Sequence, residues 1–248
     1  MKSWSGHSLD DRRRFFHRTF PDIKLSRYYL RLAYRVTGIK RRLISKGKKL
    51  HPEQVARIHQ EAKDAKIAVK KALDDGYRLI YCDEFCTTIS TMPKFEWQMK
   101  NTSLKVDPRE FHRKTIASVA AISSEKGAEL ILSFDKSINR EKFIAFLRKL
   151  RQCNPFLKLA LFMDRLAVHR SNEVQEAADK YKILLIFNAS YSPDLNPIES
   201  AIGLAKLKIK RVRWNSLQNG EEIDLNEVIE KAFMEIERKK LQNFIKKS

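Results

Sequence analysis

The order of strand and helix segments is the feature that most constrains the fold of this chain. After Gly76, short segments rich in β-branched and aromatic residues follow one another, and strand and helix segments then alternate. The predicted strands are 77–82, 87–91, 115–122, 129–134, 156–163 and 183–187. The predicted helices that alternate with or follow them are 140–152, 173–182, 198–212 and a last helix that begins at Asp224. This order predicts an α/β fold, with a mixed sheet flanked by helices.

The first fifty residues hold most of the excess positive charge. The chain has a formal net charge of +20, and residues 12–49 contain fourteen Lys or Arg but only one acid, Asp22. A basic stripe lies on a helix predicted over 25–36, and a basic extension follows it. With so few acids nearby, we favour a DNA-contacting helix and arm over a solvated surface. The candidate DNA-binding residues are Arg27, Arg31, Arg35, Lys40, Arg41 and Arg42.

Composition argues against several other classes of protein. Hydrophobic residues make up 43% of the chain, so it should fold rather than stay disordered. No run approaches the roughly 18 apolar residues that span a bilayer, and no signal peptide is evident. We therefore expect no membrane partner and an intracellular protein, nuclear in a eukaryote or in the cytoplasm and nucleoid of a bacterium. The three cysteines lack zinc spacing and are predicted to be reduced and buried, so any metal needs oxygen ligands.

The segments predict four consecutive parts of the chain. Residues 1–50 form a basic helical DNA-binding segment, which is a partial helix-turn-helix. Residues 51–76 form a connector helix, with Pro52 at its start and Gly76 after its end. Residues 77–215 form the catalytic domain, and residues 216–248 add a C-terminal helix.

Three acids lie where a fold of this class can bring them together. Asp83 and Asp164 each follow a predicted apolar strand directly, and Glu199 lies in the first turn of a predicted helix. Because the carboxyl ends of strands border the crevice of an α/β sheet, the two aspartates can be neighbours. Three carboxylates suit two Mg²⁺ or Mn²⁺ ions that cut phosphodiester bonds. Taken singly, Asp83 and Asp164 are better explained as caps of strands or turns, with Asp194 or Asn196 as the cap of the helix and Pro197 at its start.

Three motifs resemble one family. Residues 191–199, YSPDLNPIE, resemble the signature around the last catalytic acid of mariner-type DDE transposases. Residues 163–171 resemble the segment around the second Asp, and the 34 residues between Asp164 and Glu199 fit the spacing of the family. Residues 80–85, with Trp97 beyond them, are similar to the neighbourhood of the first Asp.

The resemblance implies a ribonuclease H-like fold and cut-and-paste transposition. By analogy, Asp83, Asp164 and Glu199 are the catalytic residues and hold two Mg²⁺ or Mn²⁺ ions. The partners would be double-stranded DNA, both as transposon ends and as target, and a second copy of the chain in a homodimer. His169 and Asn196 are candidate substrate contacts. His169 would either touch a substrate phosphate or orient a ligand, and a histidine at a turn or helix start with no chemical role is an equally good explanation. Glu84 should face away from the ions, because neighbouring strand residues point to opposite faces.

Two departures from the family pattern keep other functions open. Arg165 stands where Asn is usual, and its charge either repels Mg²⁺ or points at DNA. Members of the family usually carry two helix-turn-helix units, but about fifty residues precede the connector, so we expect one unit and weak discrimination between DNA sequences. The alternative is a catalytically inactive, domesticated or relic transposase that binds DNA. A third possibility is a stand-alone nuclease.

Overall fold

The computed structural model describes residues 9–39, 51–88 and 115–247. The chain divides into two compact units, Met1–Leu50 and His51–Ser248. The first unit contains α1 (Leu9–Thr19) and α2 (Arg27–Val36). The elements of the second unit are, in chain order, α3 (Pro52–Asp74), β1 (Arg78–Thr88), β2 (Thr115–Ser123), β3 (Gly127–Asp135), α4 (Arg140–Cys153), β4 (Leu159–Met163), α5 (Asn172–Lys180), β5 (Ile183–Phe187), α6 (Ile198–Asn219), α7 (Leu225–Met234) and α8 (Arg238–Ile245). None of the described helices is long and apolar enough to cross a membrane.

The second unit is built on one five-stranded sheet with the order β3-β2-β1-β4-β5. β1 lies at its centre, where it pairs antiparallel with β2 and parallel with β4. β2 also pairs antiparallel with β3, and β4 pairs parallel with β5. The sheet is therefore mixed, as predicted from the order of the segments.

Helices cover both faces of the sheet, and the side chains of β1 pack against helices on both faces. Ile80 and Cys82 pack in a core cluster with residues of α4 and α5. Phe85 packs in a second cluster with residues of α6, α7 and α8. A third cluster joins α3 to the sheet through Ala72, Leu79 and other small or apolar side chains. Since successive strand residues point to opposite faces, β1 contributes to the core on both sides of the sheet.

Three sequence-based boundaries are wrong in ways that matter for the site. The strand that was predicted to end before Asp83 continues to Thr88, because its antiparallel pairing with β2 runs from Ile80 to Thr88. The helix that was predicted to end at residue 212 continues to Asn219, where Gly220 ends it with a φ of 69°. The single predicted C-terminal helix is two helices, α7 and α8.

Other differences concern smaller features. α1 was not predicted as a helix, although it begins with Asp10 and Asp11 and ends with His17 and Arg18, which suit the helix dipole. Of the cysteines that were predicted to be buried, Cys82 is buried, whereas Cys86 and Cys153 are exposed. Lys40, Arg41, Arg42 and Trp97 lie outside the described residues.

Candidate active site

The three candidate acids come from β1, the end of β4 and the start of α6. Asp164 follows β4 directly, and Glu199 is the second residue of α6, as the sequence predicted. Asp83 lies inside β1 rather than at its end, which corrects the prediction. The parallel pairing of β1 with β4 ends at Tyr81 and Phe162, so Asp83 and Asp164 are each two residues beyond the last pair. The two aspartates therefore leave the parallel part of the sheet at the same edge.

Burial and neighbouring negative charges both act on the pKa of Asp83. Burial raises the pKa of Asp83, and the negative charges of Glu199, Asp164 and Glu84 raise it further, to about 7, although the backbone N–H of Glu84 opposes this shift. Asp164 is partly buried and Glu199 is exposed. The site is thus a partly open group of carboxylates, and the negative charges of its other members raise the pKa of Asp83.

His169 connects two of these carboxylates. Its Nδ1 donates to Oδ1 of Asp164 over 2.9 Å, and its Nε2 donates to Oε1 of Glu84 over 3.2 Å. Burial lowers the pKa of His169, but the hydrogen bonds and charges of Asp164 and Glu84 outweigh it and raise the pKa to about 9. A protonated imidazole between two carboxylates satisfies both of its ring nitrogens and removes one unit of net negative charge from the cluster.

The position of His169 favours the orienting role over the substrate contact. Its side chain is 2% exposed, and its ring packs against that of the buried Phe143 on α4 at a centroid distance of 4.4 Å. The hydrogen bonds described for the Asp164 side chain, from His169 and from the backbone N–H of Leu166, both reach Oδ1. Asp164 therefore keeps Oδ2 for another ligand.

Sequence reasoning missed Glu84 as part of this arrangement. Asp83 and Glu84 are strand neighbours and point to opposite faces, as expected. Glu84 nevertheless contacts His169, and through His169 it acts on Asp164 from the side of α4 and α5. The available signal was the pair of spacings, an acid next to Asp83 and a histidine five residues after Asp164, but spacing alone does not show that the two meet.

The turn that leads to Glu199 is tied to β1 by Asn196. This residue is buried, and its Nδ2 donates to the carbonyl oxygen of Cys82, the neighbour of Asp83. Its Oδ1 is buried and has no hydrogen-bond partner among the residues that the structure describes. At the other end of the turn, the Asn188 side chain donates to the carbonyl oxygen of Ser192 over 2.7 Å. The geometry favours positioning of the turn over the substrate contact expected for Asn196.

Arg165 points away from the carboxylates. Its Nε donates to the carbonyl oxygen of Asn188 over 2.8 Å and lies 3.8 Å from Oε2 of Glu61 on α3. These contacts are with Asn188 and Glu61 and not with the three candidate acids, so they give no support to repulsion of a cation at the site. The described contacts of Arg165 are therefore with other residues of the protein.

The basic stripe of the first unit lies on α2 as predicted, but its arginines differ in whether an ion pair compensates their charge. Arg27 lies 3.6 Å from Asp10 on α1, so its charge is partly compensated. Arg31 and Arg35 are exposed, and no ion pair is described for either of them within residues 9–39. Tyr28 and Tyr29 are also exposed, whereas Leu30 is buried. The exposed surface of α2 is thus basic and aromatic.

The donor atoms of the site fit a hard divalent cation. Within residues 9–39, 51–88 and 115–247, no three His, Cys, Asp or Glu side chains are already spaced to hold an ion. All three candidate ligands are carboxylates, which suit Mg²⁺ and Mn²⁺. A cation among them would also relieve the mutual repulsion that raises the pKa of Asp83.

Comparison with known proteins assigns the chain to a family. A family model described as DDE superfamily endonuclease matches residues 78–221, which is more than half of the chain. The chain belongs to this family. The matched residues include Asp83, Asp164 and Glu199, so the DDE family predicted from the motifs is confirmed. A search of curated proteins found no match.

Solved structures show that this member of the DDE endonuclease family has the fold of a mariner transposase. The chain in the Mos1 strand transfer complex is 14% identical, with a TM-score of 0.60 over 96% of this chain and 74% of that one. The catalytic domain of Mos1 mariner transposase is 12% identical, with a TM-score of 0.53 over 82% of this chain and 92% of that one. The predicted ribonuclease H-like fold is therefore confirmed.

Proposed function

We propose that this DDE endonuclease is a DNA transposase that cuts and rejoins phosphodiester bonds by two-metal-ion catalysis. The observation that supports the proposal is that Asp83 and Asp164 each lie two residues beyond the last parallel pair of β1 and β4, where burial and the charges of Glu199, Asp164 and Glu84 raise the pKa of Asp83. Carboxylates that repel one another in this way are stabilised by a cation, and strongly perturbed acids are typical of functional sites.

Each residue of the site has a distinct part in this proposal. Asp83, Asp164 and Glu199 would hold two Mg²⁺ or Mn²⁺ ions. When bound, such ions stabilise the attacking and leaving oxygens of an in-line displacement at phosphorus. His169 holds Oδ1 of Asp164 and leaves Oδ2 for a ligand. Asn196 holds the start of α6 against β1, which fixes the distance between Glu199 and Asp83.

The first unit is proposed to bind the DNA substrate. Arg31 and Arg35 of α2 are exposed cations that suit phosphate contacts, with Arg27 beside them and Lys40, Arg41 and Arg42 following in the sequence. The substrates would be transposon ends and a target duplex, and a homodimer would hold two ends together. The similar structures of Mos1 include paired-end complexes of that transposase, one of them with Mn. The proposed compartment is the nucleus in a eukaryote or the nucleoid in a bacterium.

The alternative, an inactive DNA-binding relic, loses one of its two supports. It rested partly on Arg165, whose charge would repel Mg²⁺ if it faced the acids. Arg165 instead contacts Glu61 and the carbonyl oxygen of Asn188. A cation that is paired inside the protein gives no reason to expect a dead site.

Cleavage and strand-transfer assays test the proposal. The chain is mixed with supercoiled plasmid and a short duplex that ends in a free 3′-hydroxyl, in Mg²⁺ or Mn²⁺. A transposase nicks the plasmid and also joins the duplex to it, a nuclease only nicks, and a relic only binds. Asp83→Asn, Asp164→Asn and Glu199→Gln should each abolish nicking and joining while plasmid affinity stays near that of the unmodified chain, because each change removes a charge but little volume.

Asp194→Asn is the matched control, since Asp194 is an exposed acid in the same turn as Asn196. It should retain full activity. If any two of the three ligand variants kept cleavage near the level of the unmodified chain in Mg²⁺, the three-carboxylate assignment would be wrong.

A further inference from the structure

Glu61, on the helix that enters the catalytic unit, contacts the segments that carry two of the proposed ligands. Its Oε2 accepts a hydrogen bond from the backbone N–H of Ser190 over 2.9 Å. The same oxygen lies 3.8 Å from Nε of Arg165, the residue directly after Asp164. Its Oε1 lies 3.7 Å from Nε of Arg57, one turn earlier on α3. One carboxylate thus contacts the segment after β4 and the turn after β5.

Arg165 makes the same connection from the other side. Its Nε donates to the carbonyl oxygen of Asn188, two residues before Ser190. Arg165 and Glu61 therefore hold the turn together, one through a carbonyl oxygen and one through an N–H. The turn continues through Ser192 and Asn196 to Glu199. The hydrogen bond from Asn188 to Ser192 within the turn, and the one from Asn196 to Cys82 on β1, connect the part that Glu61 and Arg165 hold to the start of α6.

The surroundings of Glu61 suit a charged, ordered carboxylate. Its side chain is 17% exposed, and that of Arg165 is 32% exposed. Burial opposes ionisation of Glu61, but the hydrogen bond from Ser190 and the charges of Arg165 and Arg57 outweigh it and lower its pKa. A charge-assisted bond to a backbone N–H is among the stronger hydrogen bonds in proteins.

We propose that Glu61 and Arg165 are positioning residues that fix the turn leading to Glu199 and keep the charge of Arg165 away from Asp164. The inference rests on the proposed function, since the placement of Asp164 and Glu199 matters because they are ligands. It explains how an Arg can occupy the position after the second Asp. The charge of Arg165 is compensated by Glu61 on α3, and its Nε donates a hydrogen bond to the carbonyl oxygen of Asn188 in the turn.

Amide hydrogen exchange on the metal-free, full-length chain tests the positioning. Glu61→Ala removes the acceptor of the Ser190 N–H, so peptides covering residues 188–196 should exchange about tenfold faster or more, as expected when a hydrogen bond to a charged group is removed. Glu61→Gln keeps an acceptor oxygen and should restore most of the protection. Arg57→Ala is the matched control, because it removes the other cation at Glu61 without touching the turn, and its exchange should equal that of the unmodified chain. Unchanged exchange in Glu61→Ala, or equal acceleration in Arg57→Ala, would overturn the proposal.

Mn²⁺ binding, measured by calorimetry, tests whether Glu61 keeps the charge of Arg165 away from Asp164. Glu61→Gln leaves Arg165 without its acid, so Mn²⁺ affinity should fall several-fold. The double variant Glu61→Gln/Arg165→Gln removes the released cation and should raise the affinity above that of Glu61→Gln, although loss of the hydrogen bond from Nε of Arg165 to the carbonyl oxygen of Asn188 keeps it below that of the unmodified chain. A merely structural role would make the double variant worse than the single one, and that result overturns the proposal. Absence of Mn²⁺ binding in the unmodified chain would refute the proposed metal chemistry, and the exchange experiment would still decide the positioning.

Discussion

Nδ1 of His169 lies 2.9 Å from Oδ1 of Asp164, and the hydrogen bonds described for that carboxylate leave Oδ2 without a partner. The imidazole is held in turn by Glu84 and by the ring of Phe143. Groups that orient a metal ligand in this way commonly change metal affinity or activity by about 10–100-fold when they are removed. We therefore expect the buried His169 to affect the affinity of the proposed site for its metal ions.

The first prediction concerns this histidine. His169→Ala should weaken Mn²⁺ binding by about tenfold or more, because Asp164 loses the donor that orients it. His169→Asn keeps an N–H near the position of Nδ1 and should recover part of the affinity. Titration calorimetry on the full chain measures both. His59→Ala, at an exposed histidine on α3, is the control and should bind as the unmodified chain does. Equal affinities of His169→Ala and the control would contradict the orienting role.

The second prediction is a pH dependence of stability. The pKa of Asp83 is about 7 in the folded protein against 3.8 as the ordinary value, so the folded state holds an extra proton between these pH values. The free energy of unfolding of the metal-free protein should therefore fall as pH rises from about 4 to about 7. Asp83→Asn should flatten this part of the curve in urea denaturation. The decline between about 6.5 and 9 that His169 contributes should remain in that variant. A curve that keeps its full slope below pH 6 in Asp83→Asn would contradict the assignment.

The third prediction concerns the basic surface of α2. The double variant Arg31→Ala/Arg35→Ala should weaken binding to an arbitrary duplex and flatten the log–log dependence of affinity on salt by up to about 0.9 for each phosphate that is no longer neutralised. Fluorescence anisotropy over a salt series measures the slope. Arg148→Ala/Lys149→Ala removes the same charge from exposed positions on α4 and should leave the slope unchanged. If both pairs flatten the slope equally, α2 has no special part in binding DNA.

The fourth prediction concerns a buried ion pair that supports the sheet. Nη2 of Arg78 at the start of β1 lies 2.6 Å from Oε1 of Glu129 on β3, whose side chain is fully buried. Glu129→Gln should lower the free energy of unfolding by about 3 kcal/mol, because it leaves a mostly buried guanidinium without its main partner. Urea denaturation checks this value. Glu173→Gln breaks an exposed pair with Arg140 and should have no measurable effect. A decrease in Glu129→Gln no larger than in Glu173→Gln would show that Glu125, 3.5 Å from Nε of Arg78, suffices.

The parts of the site that sequence could predict are those set by local patterns. Asp164 follows a strand of five buried residues and Glu199 opens a helix after a turn rich in Pro and Asn, and both patterns are visible in a short window. Asp83 was misplaced because the length of β1 depends on β2, which pairs with it from beyond residue 114. A short segment of sequence around Asp83 does not specify that pairing.

The supporting contacts were not predictable for the same reason. Glu84 meets His169 across 85 positions, and Glu61 meets Ser190 across 129. Such contacts depend on how the helices pack on the sheet, and no periodicity specifies them. Arg165 shows the consequence, since its identity alone suggested two roles and the structure gives it a third.

The central place of β1 in the sheet also bears on how the protein is made. β1 and β2 are consecutive strands and can pair early, whereas β4 reaches the other side of β1 only after the chain has passed through β3 and α4. Glu199 comes later still, on α6. A chain emerging from the ribosome therefore lacks the complete set of acids until translation has reached the start of α6, so the proposed nuclease centre cannot be complete before all five strands have been synthesised.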